Sequence, residues 1–192
     1  LVKTTKFKNP RYIGDPINAV KIFNDMEADE LVFLDILASK MNRCISIDFV
    51  RKVGDEANMP FSAGGGIKSV DQIKNILNAG AEKVVINSHA LADKTLISKA
   101  SNDYGSSTIV VCVDVKKSYF GRYHIYTKCG TKRTKMDIVD YIQEVEKQGA
   151  GELIINCIDR DGTMEGYDIE LMKRVSESVG IPVVALGGSG NI

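Results

Sequence analysis

The chain repeats itself, and the repeat limits its fold more tightly than any other feature. "ADELVF" at 28–33 answers "AGELII" at 150–155, and Pro60 answers Pro182, an offset of 122 residues (182 − 60). At the same spacing "RKVGDEANMPFSAGGG" (51–66) aligns with "KRVSESVGIPVVALGG" (173–188). Val53 then meets Val175, Ala63 meets Ala185, and Gly65 and Gly66 meet Gly187 and Gly188. Asp15, which opens the first helical stretch, answers Asp137. A duplication of this length calls for a fold that divides into two equivalent halves.

Within the halves, short apolar runs alternate with helical patterns. Strands are expected at 30–36, 59–63, 83–87, 108–115, 152–156 and 181–186. They carry valine and isoleucine on both faces, the mark of a parallel sheet covered by helices. Between them Ile138, Tyr141, Ile142 and Val145 recur at helical spacing, as do Leu171, Val175 and Val179, and Ile73, Ile76 and Leu77. Gly80, Gly149 and Gly180 stand between helix and strand, where a left-handed C-cap is expected. The fold class is α/β, a (βα)8 TIM-type barrel of two half-barrel repeats in a single domain over 1–192. The repeat puts a partner for the 108–115 strand just upstream of Leu1 and one for the 83–87 strand beyond Ile192. The expectation is a barrel lacking its first strand and its C-terminal βα elements.

Composition narrows the function. Lysine plus arginine and aspartate plus glutamate are each 25, so no basic surplus points to nucleic acid. Runs such as "TIVVCV" are strand-length and too short to cross a membrane, and no charged leader precedes an apolar stretch. The four cysteines, Cys44, Cys112, Cys129 and Cys157, show no C-x-x-C spacing. Reduced thiols in a cytoplasmic protein are expected rather than disulfides or zinc. His89 and His124 lie near no cysteine pair, so no histidine metal site is expected either.

Working residues of parallel barrels sit at the C-terminal ends of strands. Those ends carry Asp35, "GGGI" (64–67), "NS" (87–88), Asp114, "IDRDGT" (158–163) and "GGSG" (187–190). Glycine at a strand end lets backbone amides approach an anion, and a following helix adds its dipole. Two such loops at equivalent places suggest two phosphate sites and a long substrate with a phosphate at each end. "NCIDRDGTMEGYD" (156–168) has three readings: a calcium loop, a turn with solvated charges, or the rim of an anion-gripping site. The calcium reading fails because a strand precedes the loop, and the twelfth residue from Asp159, Glu170, falls in the next helix. Asp114 is either a cap for the following turn or a catalytic acid or base. Glu30, Lys83 and Glu152, at the opposite strand ends, read as a solvated ring of opposite charges.

Together "GDPINAVKIF", "DELVFLDI", "GGGI", "KVVINS", "VDVKK", "GAGELIIN", "IDRDGTMEGYD" and "GGSG" resemble the cyclase subunit family of imidazole glycerol phosphate synthase. The resemblance runs from Leu1 to Ile192 and is most specific at "DRDGT-x-x-GYD". It implies a partner, a glutaminase subunit, whose ammonia enters at the N-terminal face and crosses the barrel. There it attacks phosphoribulosyl-formimino aminoimidazole carboxamide ribonucleotide, yielding imidazole glycerol phosphate and an aminoimidazole carboxamide ribonucleotide. The resemblance makes Asp114 one of two catalytic aspartates, the other falling before Leu1. Gly66, Asn87 and Ser88 match one phosphate site, and Asp161, Gly162, Gly187 and Gly188 the other. Lys3 matches a lysine of the mobile first loop, and Glu30, Lys83 and Glu152 match an ammonia gate. No cofactor and no metal is implied. Asn156, Leu186 and the basic first loop depart from the pattern. They resemble a paralogous branch that uses a glutaminase to make amidino groups on surface sugars. A non-catalytic barrel that only binds a glutaminase is a third reading, opposed by the intact "DRDGT" and both glycine loops.

Overall fold

The computed structural model describes residues 1–93 and 95–190. A hairpin of β1 (Val2–Thr5) and β2 (Lys8–Tyr12) leads into α1 (Pro16–Asp25). There follow β3 (Leu31–Leu34), α2 (Ile47–Glu56), β4 (Phe61–Gly64), α3 (Val70–Asn78) and β5 (Lys83–Ile86). Two helices, α4 (Ser88–Ala92) and α5 (Thr95–Tyr104), precede β6 (Ile109–Lys117). A second hairpin, β7 (Tyr123–Thr127) and β8 (Lys132–Arg133), folds back from β6. The chain then runs through α6 (Ile138–Lys147), β9 (Glu152–Cys157), α7 (Ile169–Ser176) and β10 (Val183–Leu186).

The six expected strands pair in parallel in the order β10-β9-β6-β5-β4-β3. This is the curled parallel sheet of a TIM-type barrel, with β3 and β10 at its edges and helices on its outer face. The duplication is visible element by element: α6 lies 122 positions after α1 (138 − 16), β10 after β4 (183 − 61), and α7 begins 122 after α2 (169 − 47). Asp15 and Asp137 do the same job in both halves. Each caps its helix by accepting a backbone amide, at 2.9 Å from Ile17 and 2.8 Å from Val139. Even the hairpins are equivalent, since β1–β2 and β7–β8 fall at the same offset and turn through Lys6-Phe7 and Lys128-Cys129 with positive φ.

The large core lies between sheet and helices. Ile73 and Ile76 of α3, Ile138 and Ile142 of α6, and Leu171 and Val175 of α7 are fully buried there, each apolar side chain worth roughly 1.5–3 kcal/mol on burial. A second, small apolar cluster fills the inside of the curl. Two sequence expectations need correction. Asp114 does not end its strand, because pairing with β7 carries β6 on to Lys117. Gly180 is not a left-handed cap: Gly80 and Gly149 have positive φ, whereas Gly180 donates its amide to Glu146 at 2.7 Å and keeps an ordinary φ.

Candidate active site

Residues two apart on a strand face the same side of the sheet. β5 therefore lines up Lys83 and Val85, with Asn87 one step past its end. β6 lines up Val110, Cys112 and Asp114, and β9 lines up Glu152, Ile154 and Asn156. Val85, Val110, Cys112 and Ile154 form the inner apolar cluster. The polar members of each row thus fall at its two ends, a floor at the N-terminal strand ends and a mouth at the C-terminal ends.

Asp114 dominates the mouth and is only 5% exposed. Asn87 donates to its Oδ2 at 3.0 Å and Asn156 to its Oδ1 at 3.1 Å. Asn156 is its register partner on β9, which is why a side chain this short reaches it. No backbone amide donates to the Asp114 carboxylate among the described residues, so it does not cap a turn. Burial pushes its pKa up to about 6; the two amides pull it down, and the charge of Asp161 adds to the rise. Such a group can hold or release a proton near neutral pH.

The glycines of the mouth answer to close backbone approaches. Gly66, at φ 65°, sits where a Cβ would run into the Arg43 carbonyl. Gly188, at φ 105°, is in the equivalent position against Gly166, and Gly187 would press on the Cys157 carbonyl. Gly162 lies against the Thr4 carbonyl of β1. The backbone amides of Gly66, Gly162, Gly187 and Gly188 donate to no acceptor among the described residues.

The hairpins cross over this mouth, each onto the loops of the other half. Asp161 Oδ2 accepts from Thr4 at 2.6 Å and from the Phe7 amide at 3.1 Å, and its carbonyl accepts from Lys6. In the reverse direction, the Lys128 amide donates to Ser88 Oγ at 3.2 Å, and the Cys129 thiol donates to the Ile36 carbonyl at 3.0 Å. The tips meet: a Cβ on Gly130 would stand 3.0 Å from the Phe7 ring. Lys3 lies on β1 opposite Arg11 with its side chain exposed. Asp161 and Ser88 thus dock hairpins, and the Asn87 amide is engaged with Asp114. The remaining acids of the 156–168 loop are engaged too. Asp159 accepts the Lys117 amide, Asp168 caps α7 and takes the Tyr123 hydroxyl, and Glu165 pairs with Arg160.

At the floor, Lys83 Nζ bridges Glu30 and Glu152, both at 2.8 Å. Glu30 precedes β3 and Glu152 opens β9, each two strands from β5 in the sheet order, so only a strongly curled sheet brings them together. Ser62 of β4 completes the layer by donating to Glu30 at 2.6 Å. The solvated ring expected from sequence is instead largely shielded, with side-chain exposures of 24%, 31% and 16% for Lys83, Glu30 and Glu152. Partial burial disfavours the Lys83 charge, but the two carboxylate hydrogen bonds outweigh it and raise its pKa. Sequence reasoning brought these three together, and it missed Ser62 and the clamping role of Asn156. The signal for both was the period-two row, readable once neighbouring strands are put in register.

A curled parallel sheet with helices outside and a buried carboxylate at its C-terminal mouth defines a half-barrel-duplicated TIM-type protein. The chain belongs to the family described as "Histidine biosynthesis protein", whose sequence model matches residues 1–192. It is 41% identical over 192 residues to the imidazole glycerol phosphate synthase subunit HisF of Alkaliphilus metalliredigens, covering 100% of this chain and 76% of the relative. The HisF subunit of Nostoc sp. is 44% identical over 194 residues, covering 100% and 75%. A Pseudomonas aeruginosa protein named provisionally as subunit hisF2 is 42% identical over 192 residues, covering 100% and 76%. No helix among the described residues is long and apolar enough to cross a membrane.

Proposed function

We propose that this chain is the ammonia-using cyclase of an imidazole glycerol phosphate synthase, a lyase of histidine biosynthesis. The observation that carries the reading is Asp114, a buried carboxylate at the strand ends whose pKa is raised to about 6. It serves as a general acid–base at the site where ammonia attacks the ribonucleotide substrate. The amides of Gly66 on one side, and of Gly162, Gly187 and Gly188 on the other, which meet no acceptor among the described residues, suit a phosphate at each end of that substrate. Asn87, Ser88 and Asp161 frame those two sites, and Lys3 reaches the substrate from the first hairpin. Residues 1–192 act as one barrel domain. At the opposite face Glu30, Lys83 and Glu152 form the ammonia entrance for a docked glutaminase subunit, in the cytoplasm.

The test is ammonia-driven turnover of the ribonucleotide by the complete protein. Wild type is expected to turn over, and Asp114→Asn to lose about 10²- to 10⁴-fold, the usual cost of removing a general acid or base. An Asp114→Asn rate within twofold of wild type would remove the catalytic role.

A second reading has its own support. Asn156 and Leu186 depart from the small hydroxyl residues expected at those places, and one relative carries the name hisF2. On that reading the chain is a glutaminase-dependent enzyme forming amidino groups on sugars. Complementation of a histidine auxotroph by the complete gene separates the two, since only the cyclase restores growth.

A further inference from the structure

Asp114 has an unusual set of neighbours for a buried carboxylate. Among the described residues no lysine or arginine pairs with it, and its partners are two neutral amides. The titratable groups near it among the described residues are acidic or thiol: Asp161 from the β9–α7 loop, Cys112 below it on β6 and Cys129 from the second hairpin. Tyr126 is its register partner on β7. An amide side chain has two ends. With Nδ2 of both asparagines on the carboxylate, the carbonyl oxygens of Asn87 and Asn156 are buried without a donor among the described residues. Asn156 is only 6% exposed, and its Oδ1 lies on the Gly187 side of the mouth, 3.5 Å from where a Gly187 Cβ would stand. The opposite amide orientation would set both carbonyls against the ionised carboxylate, so the charge fixes which end faces which way. Leaving a buried acceptor unmatched is costly, and native structures rarely do it without a reason.

We propose that Asn156 is a positioning residue that clamps Asp114 from the β9 side and offers its carbonyl oxygen to the N–H of a small nitrogen nucleophile. The carboxylate and the two free carbonyls then form an acceptor-only set. It favours a group that presents N–H donors, such as ammonia with its lone pair turned to the substrate, and disfavours anions and carbonyls. This rests on the ammonia-using reading for the identity of the nucleophile, though not for the clamp. The role belongs to the second half alone, because the equivalent position in the first half is Leu34.

The experiment compares wild type, Asn156→Leu and Asn156→Thr in the complete protein, with ammonium chloride as the nitrogen source. Asn156→Leu removes the donor and the acceptor at nearly constant volume. It is expected to move the acid limb of the pH–rate profile up by about one pH unit, the size of one lost charge-assisted hydrogen bond. It should raise the KM for ammonium about tenfold while moving the KM for the phosphorylated substrate less than twofold. Asn156→Thr keeps a hydroxyl and should recover part of both shifts. An unmoved acid limb with an unmoved ammonium KM in the folded Leu and Thr variants would overturn the proposal. If the complete wild-type protein shows no ammonia-driven turnover, the functional reading fails separately. Carboxyl NMR titration of Asp114 then decides the clamp: an upward shift in Asn156→Leu supports it, and an unchanged midpoint overturns it.

Discussion

The floor and the mouth of the barrel are built from the same strands and solve opposite problems. At the floor, β5 and β9 contribute Lys83 and Glu152, which with Glu30 form a bridge in which the ammonium holds two carboxylates at 2.8 Å. Every charge there has an opposite charge in contact. At the mouth the same strands lead to Asn87 and contribute Asn156, and among the described residues the charge they hold on Asp114 has no cation beside it. The two ends of each row lie four positions apart (87 − 83 and 156 − 152), with a small apolar cluster between. The difference teaches where the molecule pairs its buried charge and where it leaves a carboxylate to neutral partners. At the floor the two carboxylates raise the pKa of Lys83, whereas at the mouth burial pushes the Asp114 carboxyl up to about 6 against the pull of its two amides.

The largest effect that would break this comparison is at the mouth. Asp114→Asn is expected to lose about 10²- to 10⁴-fold in turnover and yet to make the fold more stable at pH 8. The sign follows from the raised pKa. Below the ordinary value of 3.8 the protonated Asp114 imposes no penalty; stability is lost as pH rises towards about 6, because the folded state holds the proton more tightly. Denaturation curves at pH 4 and pH 8 should show this slope reduced in Asp114→Asn. An equally steep slope in the variant would assign it to other groups.

Next in size is Gly66→Ala. Its Cβ would meet backbone at a positive φ, so the loop must shift, at a cost of about 2–4 kcal/mol. Gly14→Ala is the control for positive φ alone, since nothing lies within 4 Å of its Cβ. Equal losses of melting temperature in the two variants would show that the Gly66 approach matters little.

Lys83→Ala probes the floor. Its partners are less than a third exposed, so the loss should lie between surface and buried values, about 1–2 kcal/mol. The Lys83 pKa is raised, so the contribution is complete below 10.5 and lost only as pH rises through the folded value. If the floor is also the ammonia entrance, glutamine-driven turnover through the partner should fall further than ammonia-driven turnover. Equal losses in both assays would leave the bridge a purely structural device.

The parallel sheet was legible because each strand carries an apolar run, and the repeat fixed which elements are equivalent. Glu30, Lys83 and Glu152 were legible for the same reason, as first residues of aligned runs. The hairpins were not. β1 and β2 are largely exposed, with no apolar alternation to announce them, and β8 is only two residues long. Missing β7 in turn misplaced the end of β6. Asn156 stood out as a departure, but its function depends on register: only the pairing of Asp114 with residue 156 puts the amide on the carboxylate. Composition could not reveal that the loop acids are occupied by hairpin amides and helix caps, because those partners lie up to 157 residues away in sequence.

The most direct test of the contrast between floor and mouth is the side-chain carboxyl titration of Asp114, followed by NMR in the folded wild-type protein. A midpoint near 6 is expected, from a carboxylate buried against neutral amides with no cation beside it among the described residues. A midpoint at the ordinary 3.8 would mean that the mouth balances its charge as the floor does, and would contradict the account.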